Sequence, residues 1–192
     1  EFYDMLTQQR LLEYTYENLP ETEKPRNIVF YYLGRTLVES QLHEMLSLFG
    51  DVPYNGAGTL WRDGDYNAAK EKCVYDDDVV LYKQILADLK EVGDYFASGN
   101  VDAIGLTSLS RQDYTIAAGD ATRWQKYVNS LRLRIALHLS TAGDCVTEAH
   151  AAIAEILNNP SQYPLIDNNK ENMGVTADTQ KDDFNFGKSF SQ

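Results

Sequence analysis

GDATRWQKYVNSLRLRIALHL, residues 119–139, decides the fold. Asp120 stands where a helix N-cap belongs, with a side-chain oxygen able to accept the first free backbone N–H groups. No glycine or proline follows until Gly143. At about 100° per residue, Trp124, Tyr127, Val128, Leu131, Ile135 and Leu139 fall on one stripe, and Leu133 and Leu137 fall on the opposite side. A helix that is apolar on two faces must lie between other helices. Arg132 and Arg134 flank the main stripe, one on each side.

The segments around it read the same way. Asp76-Asp77-Asp78 offers a cap and favourable charge for a helix to about Ala97, whose Leu81, Tyr82, Ile85, Leu86, Leu89, Val92 and Phe96 form one clean stripe. Residues 28–49 predict a long helix with Phe30, Tyr31, Leu37, Val38, Leu42, Met45, Leu48 and Phe49 over about half its circumference. Gly34 lies inside that half. A glycine there costs about 1 kcal/mol against alanine, so it marks the close approach of a neighbouring helix. Gly50 can take the left-handed cap conformation, and Pro53 prevents continuation. Residues 1–18 place Phe2, Met5, Leu6, Leu12 and Tyr16 on one face.

On the other side, Asp144 can cap a last helix to about Asn158, with Val146, Ala149, Ala152, Ile153, Ile156 and Leu157 inward. Pro160 and Pro164 end it. No strand-like alternation exceeds four residues. The sequence therefore predicts an all-α protein, one helical domain over residues 1–192, with long irregular connections at 50–75 and 98–119. Residues 167–192 form an irregular polar tail containing Phe184, Phe186 and Phe190.

Composition removes several functions. The net charge of −12 repels nucleic acid and anionic membrane surfaces. The longest uncharged run, Ile156–Ile166, is far too short to span a bilayer. Cys73 and Cys145 form no C-x-x-C and read as two thiols rather than a disulfide or a metal site. His43-Glu44-Met45-Leu46-Ser47 begins like a metalloprotease motif but has serine where the second ligand must sit. His43, His138 and His150 show no metal-ligand spacing. Asp63, Asp65 and Asn67 imitate the start of a calcium loop, but Ala68 and Val74 occupy the positions that need Gly and Glu, so a solvated loop is the better reading. Asn129, Arg132 and Arg134 could suggest a ligand clamp. Such arginines more often bond loop carbonyls or acidic neighbours. No phosphate-loop, dinucleotide or nucleophile-elbow motif is present, and no pair of acids stands out as catalytic. The chain is therefore not read as an enzyme, and no cofactor is expected.

One connection is chemically suggestive. Residues 50–75 carry Tyr54, Trp61, Tyr66 and Tyr75 among Gly, Asp and Asn. Tyrosine and tryptophan rings can stack on the C–H faces of sugars while nearby polar groups bond the hydroxyls. These four residues are the candidate ligand contacts. The alternative is that the rings pin a long loop to the helices beneath, most of all Tyr54 and Tyr75, which border helices.

Three features in order carry a family resemblance: Leu48-Phe49-Gly50-Asp51-Val52-Pro53-Tyr54, the helix Val80-Leu81-Tyr82-Lys83-Gln84-Ile85-Leu86-Ala87-Asp88-Leu89, and Gly119-Asp120 leading to Trp124-Gln125-Lys126-Tyr127-Val128-Asn129-Ser130-Leu131-Arg132-Leu133-Arg134. Together, over roughly residues 27–158, they resemble the SusD-like (SusD/RagB) nutrient-binding lipoproteins of Bacteroidetes. The resemblance implies tetratricopeptide-like paired helices of α-solenoid type with irregular loops. It implies non-catalytic capture of oligosaccharides or related nutrients at the outer-membrane surface and delivery to a SusC-like TonB-dependent transporter. Members of the family carry a lipoprotein signal and a lipidated cysteine, so the chain is expected to be the central part of a longer, lipid-anchored protein. A helical-repeat interaction scaffold with no small-molecule ligand is the rival expectation.

Overall fold

In a computed structural model, residues 1–141 and 143–175 are described, so Phe184, Phe186 and Phe190 lie outside the described residues. Eight α-helices occur among them: α1 (Phe2–Glu17), α2 (Lys24–Phe49), α3 (Leu60–Asp63), α4 (Tyr66–Lys72), α5 (Asp78–Ala97), α6 (Ala103–Gln112), α7 (Ala121–Leu139) and α8 (Val146–Asn158). The described residues contain no strand, only isolated bridges at Val52–Asp76 and Thr115–Val175. The fold is all-α, as the sequence predicts.

Asp120 caps α7 by accepting from the backbone N–H groups of Thr122 and Arg123. Trp124, Val128, Leu131, Ile135 and Leu139 are buried, and α7 packs between α5 and α8. The second contact face differs from the expected leucine row. Leu137 is 54% exposed and Leu133 half-buried, whereas Asn129, Arg132 and Ala136 are buried. The reason lies in the partners. Arg132 donates to Glu155 of α8 at 2.6 Å, and Asn129 donates to the Pro164 carbonyl at 3.1 Å. The intervening Ser130 accepts from the Ile166 N–H at 2.9 Å. The chain after α8 thus straps back across α7. Its anchor is the buried Tyr163, whose hydroxyl donates to Asp94 at 2.5 Å and accepts from Lys90 at 3.0 Å. Arg132 therefore meets an acidic neighbour, while Arg134 is exposed.

Helix α2 begins at Lys24 rather than residue 28, because Pro25 fits the first turn, where no amide donor is needed. It packs against α1, α5 and α6. Its buried face holds Val29, Tyr32, Leu33, Val38, Leu42 and Leu46. Leu37, Leu48 and Phe49, expected inside, are exposed. Polar residues take their place: Arg35 spans to Asp88 at 3.0 Å and Glu91 at 2.8 Å on α5, which ties two helices through charge. Gly34 does mark a close approach, since a Cβ there would stand 2.3 Å from Gln9 Oε1 on α1.

Helix α5 is capped by Asp77, which accepts from Val80 N–H. Helix α8 differs from expectation. A 3-10 turn, Gly143–Cys145, leads into it, Cys145 takes the cap position without a side-chain bond, and Asp144 lies inside that turn. Leu157 is exposed rather than inward. The connection 98–119 contains α6, capped by Asp102 and laid against α2. Cys73 is exposed and Cys145 buried, and both are free thiols.

Candidate functional site

The connection after α2 closes on itself. Asp76 N–H donates to the Val52 carbonyl at 3.0 Å. The Asp76 carboxylate accepts from the Tyr54 N–H at 2.8 Å, the Asn55 N–H at 2.9 Å and the Asn55 side chain at 3.0 Å. Burial pushes this carboxyl up, but the bonds from Asn55 and Tyr54 outweigh it and hold the group below the ordinary carboxylate range. Asp76, read from sequence as part of the helix start, is the clasp of the loop.

Inside the clasp, α3 and α4 use up the acids of the calcium-like run. Asp65 caps α4 through the N–H groups of Asn67 and Ala68. Asp63 accepts from Thr59 Oγ1 at 2.8 Å and pairs with Lys72 at 3.1 Å, and those bonds keep its carboxyl ionised to lower pH than usual.

Between this loop and α1 lies a groove of about 660 Å³, lined by Thr7, Leu60, Trp61, Tyr66, Lys70 and Cys73, among others. Trp61 is 39% exposed. Its indole N–H is bonded to the Gly58 carbonyl at 3.0 Å, and its ring meets Tyr14 edge-on, centroids 5.4 Å apart. The polar end of the indole is satisfied internally, which leaves the ring available for stacking. Tyr66 stands 67% exposed on the same groove. Gly58, at φ +76°, lets the loop settle on α1, where a Cβ would lie 3.2 Å from Thr7 Cα.

The other two predicted residues sit elsewhere. Tyr54 is only 4% exposed. The Arg10 guanidinium lies 4.9 Å over its ring and donates to its carbonyl at 3.1 Å, so Tyr54 supports the loop from below. Burial raises its phenol well above the ordinary value. Tyr75 is 74% exposed, immediately before the clasp residue Asp76. Sequence reading missed the contribution of α1: Thr7 lines the groove and Tyr14 meets the Trp61 ring, seven residues apart on one face beside the core stripe, and that spacing is the signal that could have found them.

A helical scaffold that holds aromatic ring faces beside hydroxyls and one ammonium has the makings of a carbohydrate-binding protein. The chain belongs to the SusD-like_2 family, described as starch-binding and associating with the outer membrane, whose profile matches residues 2–187. That match extends to both sides of residues 27–158, which carry the resemblance in the sequence. The family is a non-catalytic carbohydrate-binding one. No curated protein matches the chain.

Proposed function

We propose that this chain captures oligosaccharides at the outer surface of the outer membrane, as part of a lipid-anchored protein, and passes them to a SusC-like TonB-dependent transporter without altering them. Trp61 and Tyr66 supply the stacking faces, with Thr7 and Lys70 as polar partners at the groove. Tyr54 acts through the loop that it braces, and Tyr75 extends the aromatic surface. The paired helices stack in the tetratricopeptide-like manner beneath. The observation that carries the reading is the coincidence of family membership with an open aromatic groove whose indole N–H is already bonded.

The test is calorimetric titration with starch-type oligosaccharides. Trp61→Ala is expected to weaken binding by about tenfold or more, given a loss of roughly 1.4 kcal/mol or more. The melting temperature should stay within a few degrees of the parent, because Trp61 is partly exposed and shares its packing with the exposed Tyr14. A large fall in melting temperature with unchanged affinity would make Trp61 a packing residue.

A further inference from the structure

We infer that Asp76 is the positioning residue of the groove: its one carboxylate holds the wall that carries Tyr66 and Lys70 against the wall that carries Trp61, so the groove can open, and ligand binding fail, while the helical scaffold stays folded. The inference rests on the glycan reading of the groove and adds to it a residue that acts without touching the ligand.

The loop supplies two walls of the groove. Residues 56–61 form one, and α4 with Cys73 forms the other. They are rooted differently. Val52, Tyr54, Ala57 and Thr59 are buried and seat the first wall on the helices beneath. From Leu60 to Asp76 no residue is buried. Helix α4 has seven residues and packs chiefly on the four-residue α3, and helices so short do not persist alone in water. The second wall therefore depends on the neck of the loop. There the Asp76 carboxylate, on the α4 side, accepts the Tyr54 N–H, the Asn55 N–H and the Asn55 side chain, all from the rooted side. Just inside that clasp the two walls run backbone against backbone: a Cβ on Gly56 would stand 1.8 Å from the Lys72 carbonyl oxygen. Gly56 follows Asn55, and both Gly56 and Cys73 line the groove, so a shift at the clasp passes straight to its edge. The other fastenings leave this spacing to Asp76. Arg10 holds the Tyr54 carbonyl from α1 and so acts on the rooted side alone. Asp51 accepts the Asp78 N–H at 3.0 Å, outside the neck. Lys72 reaches Asp63 at 3.1 Å between the walls, but the lysine is exposed and such a pair is a weak tie.

The measurement is calorimetric titration of maltoheptaose into the full chain and its Asp76 variants, with trypsin cleavage after the exposed Lys70 and Lys72 reporting the state of the second wall. Asp76→Ala removes every bond that the carboxylate accepts. It should weaken binding about tenfold and speed that cleavage about tenfold, while the main melting transition stays within a few degrees of the parent, because a segment without buried residues opens on its own. Saturating maltoheptaose should slow the cleavage, since the ligand binds the closed groove alone. Asp76→Asn should restore most of the affinity. The Tyr54 and Asn55 N–H groups share one carboxylate oxygen, which the amide carbonyl can replace, and the amide N–H can donate to a turned Asn55 side chain. Parent-like affinity in Asp76→Ala overturns the positioning role and leaves the groove a glycan site. A melting temperature lowered by about 10 °C or more in Asp76→Ala, with no rescue of binding in Asp76→Asn, also overturns it, because Asp76 then serves the whole fold. A parent chain that binds no maltoheptaose overturns the glycan reading and the positioning role with it.

Discussion

Glu39 lies fully buried on α2, and neither of its carboxylate oxygens meets a hydrogen-bond donor. Burial, then the negative charge of Asp88, raises its pKa well above the ordinary value, with Arg35 pulling the other way. The folded chain therefore favours the protonated acid. Its contribution to stability is present below the unfolded carboxyl pKa and is lost as pH rises through the folded value. Glu39→Gln keeps the shape and removes the ionisation, so it should raise the melting temperature at about pH 7 by at least about 2 °C. At about pH 4 it should change little, since the acid is then largely protonated in both states. Thermal melts at the two pH values decide this. His43, nearby on the same helix, has the opposite sign: burial, then His138 and Arg134, lower it to about 4, so its stabilising effect is lost as pH falls below the ordinary histidine range. Neither residue was legible as buried. The burial of a Glu and a His on α2 emerges only when the neighbouring helices are placed, because charge alone does not reveal a partner on another element.

At the scale of elements, the legible features were those whose physics is local. Asp77 and Asp120 cap their helices because a short acid before an apolar stripe meets its N–H donors within three residues. Gly34 was legible for a similar reason, as a glycine at an otherwise costly position. Helix α6 was not, and Gly105 explains why. It breaks the helical pattern of residues 103–112, yet a Cβ there would stand 2.5 Å from the backbone carbonyl of Arg26. The residue that hides the helix is the one that lets it pack on α2. The same comparison predicts different costs for two similar changes. Gly105→Ala must push backbone apart and should destabilise by about 2–3 kcal/mol. Gly34→Ala meets the ends of two side chains, Gln9 Oε1 at 2.3 Å and Leu12 Cδ2 at 2.9 Å, which can shift where backbone cannot, so it should cost less, about 1 kcal/mol. Denaturant melts of the pair check the ordering; equal losses would mean that α6 can slide on α2.

At the scale of the molecule, two regions carry different duties. The aromatic loop is fastened to α1 and to itself through Asp76, Arg10 and Tyr14. The strap is fastened to α5, α7 and α8 through Tyr163, Asn129 and the Lys90–Glu155–Arg132 network. The Asn-Ser-Leu-Arg run that marks the family in the sequence serves the strap: Asn129, Ser130 and Arg132 each bond the strap or α8, and Leu131 enters the core. That is why the motif announced the family and the architecture but said nothing of the groove, whose residues come from a loop without periodicity and from the outer stripe of α1. The separation predicts a double dissociation. Tyr163→Ala empties a buried aromatic site and strips Lys90 and Asp94 of a shared partner, so it should cost about 3–5 kcal/mol and lower the melting temperature by roughly 10 °C. Below that transition its affinity for oligosaccharide should equal the parent's, because the residues that bond the strap, Asp94, Lys90 and Asn129, are not among those lining the groove. Trp61→Ala should do the reverse. Calorimetric binding and thermal melts on the two variants measure both quantities, and a Tyr163→Ala protein that is folded but binds weakly would mean that strap and groove are coupled through the shared core of α2 and α5.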